Sequence, residues 1–504
     1  MKKTLFILLM ALGMLAGRAA EDIPKREFRG AWLHVIGQTQ YMNKTPEQCR
    51  NYIIDQLDKL AEAGCNAVIF QVRPTADAMY KSEIEPWSYW LTGKRGKAPV
   101  PEWDPLAFTI EQAHMRGMEL HAWLNPYRVT SNAKEVLPAD HLYNKEPHRF
   151  FRYDNKIFFD PAYSENRDYI CKVVADIVSR YDVDAIHMDD YFYPYPVGGS
   201  FNADAASYAK FGNGQNKGDW RRHNVDLLIE KLHGTIKGIK PWVRFGISPF
   251  GIWRNKRTDP KGSESAGLQN YDDLYADILL WADKQWVDYV APQLYWELDL
   301  KVAPSRKLAQ WWNDNIHPPV QLYIGQDTKR TMDKPTATDK NELATKIDIS
   351  RRLPHIDGNI WWHGYWVTGN YKGALNALSS THQCSLAIPP AWKGDGHAPA
   401  KVQGLRSGER DSHKVVEWDY PSNFGGYGST ADPSDGKSSD VVKFVVYQFF
   451  PGETVDISDP AAIIAVTPFN AVRMDNAEKG TIFIVTALDR LNRESDPSAK
   501  LIIK

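Results

Sequence analysis

Between residues 28 and 380 short runs of apolar and β-branched residues alternate with amphipathic stretches, and this alternation most narrowly limits the fold. Strand-like runs fall at 28–36, 66–73, 118–125, 183–190, 242–250, 287–297, 320–325 and 358–363. Helix signals separate them. Thr45-Pro46 followed by Gln48 is a capping-box start with proline in the first turn, and Asp104-Pro105 opens a second helix that Gly117 stops. Further helices are predicted at about 164–180, 219–238, 270–285, 303–314, 338–352 and 370–379. Eight strand–helix units in roughly 350 residues predict an α/β fold, a (β/α)8 TIM-type barrel with enlarged loops. A doubly wound open sheet is the competing architecture, but no glycine-rich phosphate turn follows the first strand.

The two ends read differently. MKKTLFILLMALGMLAGRAAED has the charged, apolar and small-residue layout of a secretory signal, with cleavage expected after Ala19. Its apolar run is short for an anchor, no later run reaches about 18 apolar residues, and Arg18 stands where a lipid-anchored protein would need a cysteine. The expected product is an exported, periplasmic or extracellular protein with no membrane segment after signal removal. The barrel domain is placed at 26–384. A Pro- and Gly-rich linker is placed at 385–398, and a small all-β sandwich at 399–504, where KVVEWDY, VVKFVVYQFF and GTIFIVTALDR alternate apolar and polar residues.

Composition excludes some partners. The 61 Lys+Arg and 62 Asp+Glu give a net charge of −1, which provides no field to attract nucleic acid. The cysteines, Cys49, Cys65, Cys171 and Cys384, lack metal-ligand spacing and are expected to be buried free thiols. No metal or cofactor is called for. Of the 18 tryptophans, all but Trp418 precede residue 397, so the tryptophan-rich function belongs to the barrel.

Residues of a barrel strand alternate between the helix-facing layer and the interior, and large aliphatic side chains mark the helix-facing set. On that test Gly30, Trp32 and His34 face inward on the first strand, and Gln71 and Arg73 on the second. His121, Trp123 and Asn125 do so on the third, then Ala185, His187 and Asp189 on the fourth, with Asp190 at its end. Arg244 and Ser248 follow on the fifth strand, Ala291, Gln293, Tyr295 and Glu297 on the sixth, and Trp361 and His363 on the eighth. Polar groups thus converge at C-terminal strand ends, where such barrels place their active sites.

Asp189 and Glu297 would face each other across the mouth, and two buried acids are costly unless paired or used. Arg73 and Arg244 are the cations available for a structural ion-pair network. Two facing carboxylates are also the minimum equipment of glycoside hydrolysis. Glu297 is assigned as general acid, Asp189 as nucleophile or base, and Asp190 as the group that positions or tunes its neighbour. Aromatic walls suit the apolar faces of a sugar ring. Trp32, Trp123, Trp296 and Trp361 supply them, joined by the loop residues Trp87, Tyr89, Trp90, Trp103, Tyr191, Phe192, Tyr193 and Tyr195. His34, Arg73, His121, Asn125, His187, Gln293 and Tyr295 would bind hydroxyl or acetamido groups.

The motifs FRGAWLHV, NAVIFQVRPTADAMY, HAWLNPYR, DAIHMDDYFYP, GISPFGIW and APQLYWE, in this order, resemble the bacterial glycosyl-hydrolase-like family 10 over about residues 26–380. Residues 399–504 resemble a fibronectin type III domain, which makes Trp418 a core residue. The first resemblance implies an exported barrel with glycosidase activity, related to enzymes that act on bacterial cell-wall glycan, particularly peptide-stripped strands. A polysaccharide or oligosaccharide substrate is expected. The alternatives are a metal-dependent carbohydrate esterase or deacetylase built on His187, Asp189 and Asp190, which lacks a compact ligand motif, and a non-catalytic glycan-binding protein.

Overall fold

The computed structural model describes residues 23–504 apart from 133–134, 200, 334–340, 393–396, 422–423, 425–436, 438 and 475–476. Residues 1–19, expected to form a secretory signal, and part of the expected linker at 385–398 lie outside the described residues. Eight parallel strands close a barrel: β1 (Phe28–Leu33), β2 (Ala67–Arg73), β3 (Glu119–Leu124), β4 (Ala185–Met188), β5 (Arg244–Ile247), β6 (Tyr289–Val290), β7 (Gln321–Asp327) and β8 (Ile356–Trp362), with β1 paired to both β2 and β8. The TIM-type expectation is met, one strand at each expected place.

The connecting helices follow their local signals. α1 (Pro46–Glu62) starts at a Thr45–Gln48 capping box with proline in its first turn, and α2 (Pro105–Met115) is capped by the Asp104 side chain. Helices Ser164–Arg180, Lys217–Ile239, Ser305–Asn315 and Glu342–Arg352 occupy expected places, while 270–285 holds two short helices, Asn270–Asp273 and Ile278–Asp283. A hairpin, Phe150–Tyr153 with Lys156–Phe159, was not expected from the sequence.

Apolar side chains fill the barrel in two layers. Phe28, Trp32, Ile69, Tyr289, Tyr323 and Ile360 pack inside, and a larger core lies between strands and helices. Gly246 is required by this interior, since a Cβ there would meet the Tyr289 ring at 1.9 Å. Three cysteines are buried thiols as expected, whereas Cys384 is exposed.

After the barrel come two facing sheets. One joins β9 (Gln403–Arg410), β10 (His413–Asp419) and β13 (Ala471–Arg473); the other joins β11 (Val441–Phe449), β12 (Ile463–Thr467), β14 (Ile482–Asp489) and β15 (Leu501–Ile502). They share a core in which Trp418 lies edge-on to Phe444. This all-β unit seals the N-terminal end of the barrel, opposite the mouth. Asn492 donates to the Glu119 carboxylate at 2.7 Å, Arg490 pairs with Asp182 at 2.6 Å, and Glu494 takes Lys25 at 2.9 Å and Arg26 at 3.3 Å. Among the described residues no helix is long and apolar enough to cross a membrane.

Candidate active site

A polar column fills the barrel axis beneath the mouth. The Trp32 indole N–H donates to His187 Nε2 at 3.1 Å, and because indole is only a donor, His187 must carry its proton on Nδ1. That proton faces the Tyr289 hydroxyl at 2.9 Å, which meets His121 Nδ1 at 2.8 Å, and His121 Nε2 lies 3.2 Å from Glu119. Both rings are neutral: burial drives His187 well below its ordinary value and also lowers His121. Arg244 closes the column on Glu119.

This geometry corrects several expectations. His121 and His187 are fully buried, with their ring nitrogens engaged in the column below the mouth rather than presented at it. Strand parity gave their direction but not their height. His187 likewise has no nitrogen free for the metal of the esterase alternative, and among the described residues no group of three or more His, Cys, Asp or Glu could hold a metal ion. Arg73 is also sealed from solvent. It forks onto Glu85 at 2.7 Å and donates to the carbonyl oxygens of Asn125 and Pro126, so it holds the turn carrying Asn125 rather than a ligand. With Arg73 on Glu85 and Arg244 on Glu119, neither arginine neutralises the mouth carboxylates. The two expected cationic partners, Arg73 and Arg244, are thus engaged away from the mouth.

Asp189 and Asp190 end β4 at the mouth and are 3% and 2% exposed. Asp189 is fixed by the Trp123 indole N–H at 3.0 Å and by Asn125 Nδ2 at 3.0 and 3.2 Å. Burial raises its carboxyl, opposed by the Arg128 charge and these donors. Asp190 is pushed up to about 7 by burial and by the charge of Asp189, with hydrogen bonds from Tyr195 and Gln293 opposing. Among the described residues neither aspartate has an ion-pair partner within salt-bridge distance.

The aromatic walls differ from expectation at β8. Trp362 enters the mouth, stacked on Tyr295 at 6.1 Å and 7°, with Trp32, Trp123 and His34 at 6.3, 6.0 and 5.1 Å. Trp361 instead packs in the helix-facing core and is fully buried. The aliphatic marker fails here because Ile360 belongs to the inner layer, above a register irregularity between Ile356 and Gly358. Trp361→Ala should therefore cost about 3–5 kcal/mol of stability. Trp362→Ala should leave the melting temperature nearly unchanged and raise KM about tenfold, the loss of roughly 1.5 kcal/mol of ring stacking. Thermal unfolding and saturation kinetics of the two variants check the contrast.

His34 and His363 meet edge to face at 4.4 Å beside Trp362; burial lowers them to about 3 and about 4, so both rings are neutral. Gln293 and Tyr295 line the mouth. Trp296 packs edge-on to Phe250 at 5.3 Å on the rim. The β6 ladder is only two residues long, but Gln293 bridges Phe250 and Gly325 and Tyr295 packs on the inner layer, so the inward parity holds as far as Tyr295. The Glu297 charge acts on Lys346 and Glu342, and Glu342 anchors this loop by accepting Leu298 N–H at 3.2 Å. Phe192, Tyr193 and Trp103 are packing residues, while Tyr191 and Tyr195 stay beside Asp190. Arg128, whose guanidinium lies 5.0 Å from the Tyr191 ring, was missed, although it sits in HAWLNPYR.

The sequence profile described as Glycosyl hydrolase-like 10 matches residues 27–342. The chain belongs to this family. Similar curated proteins are glycosyl hydrolase YngK of Bacillus subtilis (strain 168), 37% identical over 94% of this chain and 93% of that protein, and glycosyl hydrolase DigH of Escherichia coli (strain K12), 38% identical over 66% and 82%. Solved structures resemble it more distantly. One is the PgaB (BpsB) glycoside hydrolase domain from Bordetella bronchiseptica, at 12% identity and TM-score 0.45, covering 71% of this chain and 99% of that one. In this Glycosyl hydrolase-like 10 chain the mouth thus combines two adjacent buried carboxylates, a stacked aromatic wall and neutral hydrogen-bonding groups, a set that can protonate a leaving oxygen beside a sugar ring.

Proposed function

We propose that this protein hydrolyses glycosidic bonds of an amino-sugar polysaccharide, with peptidoglycan glycan strands as the substrate. The Asp189–Asp190 pair beside the Tyr295–Trp362 stack carries the proposal: two adjacent buried acids with no ion pair at salt-bridge distance among the described residues, next to a flat ring surface. Asp190 is the general acid. Its proton is retained near neutrality because ionising it would place a second charge beside Asp189 in a dry site. Asp189, held by three N–H contacts from Trp123 and Asn125, is the ionised neighbour that keeps this proton in place. The acid role is given to Asp190 rather than to Glu297 because Asp190 is the carboxyl pushed up to about 7 beside the aromatic stack. His34, Gln293, Asn125, Tyr295 and Trp362 would orient hydroxyl and acetamido groups.

The pH dependence tests this assignment. An acid that must be protonated works below its own value and fails above it, so kcat/KM should fall about tenfold per pH unit above about 7. A profile on peptide-stripped glycan from pH 5 to 9 should show that limb, and Asp190→Asn should remove it along with most of the activity. A wild-type profile flat to pH 9 would contradict the role. The signal-like N-terminus supports export to the periplasm or cell exterior. The two-sheet unit is proposed to be a fibronectin type III-like domain at 399–504, after a linker at 385–398 and a hydrolase domain at 26–384. Its seat beneath the barrel supports a structural role for it.

A further inference from the structure

Asp327 is an acid that none of the site residues above includes. It ends β7 in register with Trp362 of β8. Its direction follows from the strand below it: Tyr323 belongs to the inner layer, and a Cβ on Gly325 would stand 3.0 Å from the Trp32 ring. Residue 327, two positions on, therefore points to the same interior side at the rim. There it stands beside the Tyr295–Trp362 stack. The charges of both Asp190 and Asp327 act on the Tyr295 phenol, so both carboxyls lie near that ring.

The bland role for Asp327 is helix capping, since its Oδ1 accepts the Arg330 N–H at 2.8 Å at the start of helix Thr328–Asp333. Capping uses one oxygen; Oδ2 has no hydrogen-bond partner among the described residues. Burial raises this carboxyl, but the Arg330 N–H and the charges of Arg330, Lys346 and Lys329 oppose the rise and favour the ionised form.

We propose that Asp327 is the second catalytic carboxylate, set at the barrel mouth beside the Tyr295–Trp362 stack and sharing one cleft with Asp190. This inference rests on the glycosidase function proposed above. As the C1–O bond breaks, its electron pair stays on the leaving oxygen, which takes the Asp190 proton. The Asp327 carboxylate removes a proton from the water whose oxygen bonds to C1, or bonds to C1 itself and is released by water in a second step, with Asp190 recovering its proton from that water. The anomer first released distinguishes the two routes.

Asparagine caps a helix as well as aspartate does, so Asp327→Asn isolates the charge from the cap. Two readouts on the full chain decide the matter. On peptide-stripped peptidoglycan glycan, Asp327→Asn should lower kcat about 10³-fold with an unchanged melting temperature. In the absence of substrate, aspartate-13C NMR, assigned with Asp190→Asn, should show the Asp190 midpoint falling by about half a unit or more in Asp327→Asn, because a negative charge in the same cleft has been removed. Asp189, Tyr191, Tyr195, Gln293 and Tyr295 face that carboxyl and stay the same in the comparison. Turnover within threefold of wild type, or an unmoved Asp190 midpoint, overturns the proposal. A wild-type protein that cleaves no amino-sugar polymer, yet shows the shifted midpoint, would defeat the substrate assignment and leave the place of Asp327 intact.

Discussion

Asp190→Asn is expected to lower kcat on peptide-stripped peptidoglycan glycan by about 10²–10⁴-fold, the usual contribution of a positioned general acid. The amide keeps the shape and the Tyr195 contact but has no proton of suitable acidity to give. Folding should survive, and the sign of the stability change is fixed. Asp190 rises from 3.8 to about 7 in the folded protein, so its contribution to stability is full below about 3.8 and is lost as pH climbs through about 7. At pH 8 the wild type holds a buried charge beside Asp189 that the variant lacks, so the variant should melt at the same temperature or higher. Turnover that survives the substitution, with the melting temperature unchanged, would remove Asp190 from the chemistry.

The second large effect lies at the other end of the barrel. Glu119→Ala is expected to destabilise the protein by about 3–5 kcal/mol, the cost of breaking a buried ion pair and leaving its partner uncompensated. Glu119 accepts from Arg244, from His121 at 3.2 Å and from Asn492 of the C-terminal sheets at 2.7 Å, and burial together with Arg244 makes its loss felt at the seat of that domain. The fully buried Lys443 ammonium, drawn toward Glu119 and Asp184, would lose part of its countercharge as well. Urea unfolding monitored by tryptophan fluorescence measures the change. A loss below about 1 kcal/mol would show that the sandwich and barrel do not depend on this network.

The barrel was legible because eight apolar runs separated by capped helices admit few other packings, and Asp189 because β4 alternates cleanly from Ala185 to Met188. What the residues conceal is height and local irregularity. His121 and His187 point inward as parity requires, yet sit below the mouth, where their nitrogens close a column to Glu119. Parity gave the wrong tryptophan at β8 because an aliphatic residue, Ile360, faces the interior above a register shift. On the sixth strand the inward parity holds through Gln293 and Tyr295, and Glu297 follows the last bridged residue. Asp327 was lost because the seventh strand was taken to stop at residue 325; two more residues on the parity of Tyr323 and Gly325 would have shown it. Arg73 looked available because its partner, Glu85, comes from a loop that no periodicity marks.

Glycosidic hydrolysis at the Asp189–Asp190 mouth is tested by mass spectrometry of products from intact and peptide-stripped peptidoglycan. Wild-type protein should release amino-sugar oligosaccharides carrying one added water per bond cut, from the stripped strands above all, and Asp190→Asn should release almost none. Undigested strands after long incubation with wild-type protein, or equal product from the variant, would contradict it.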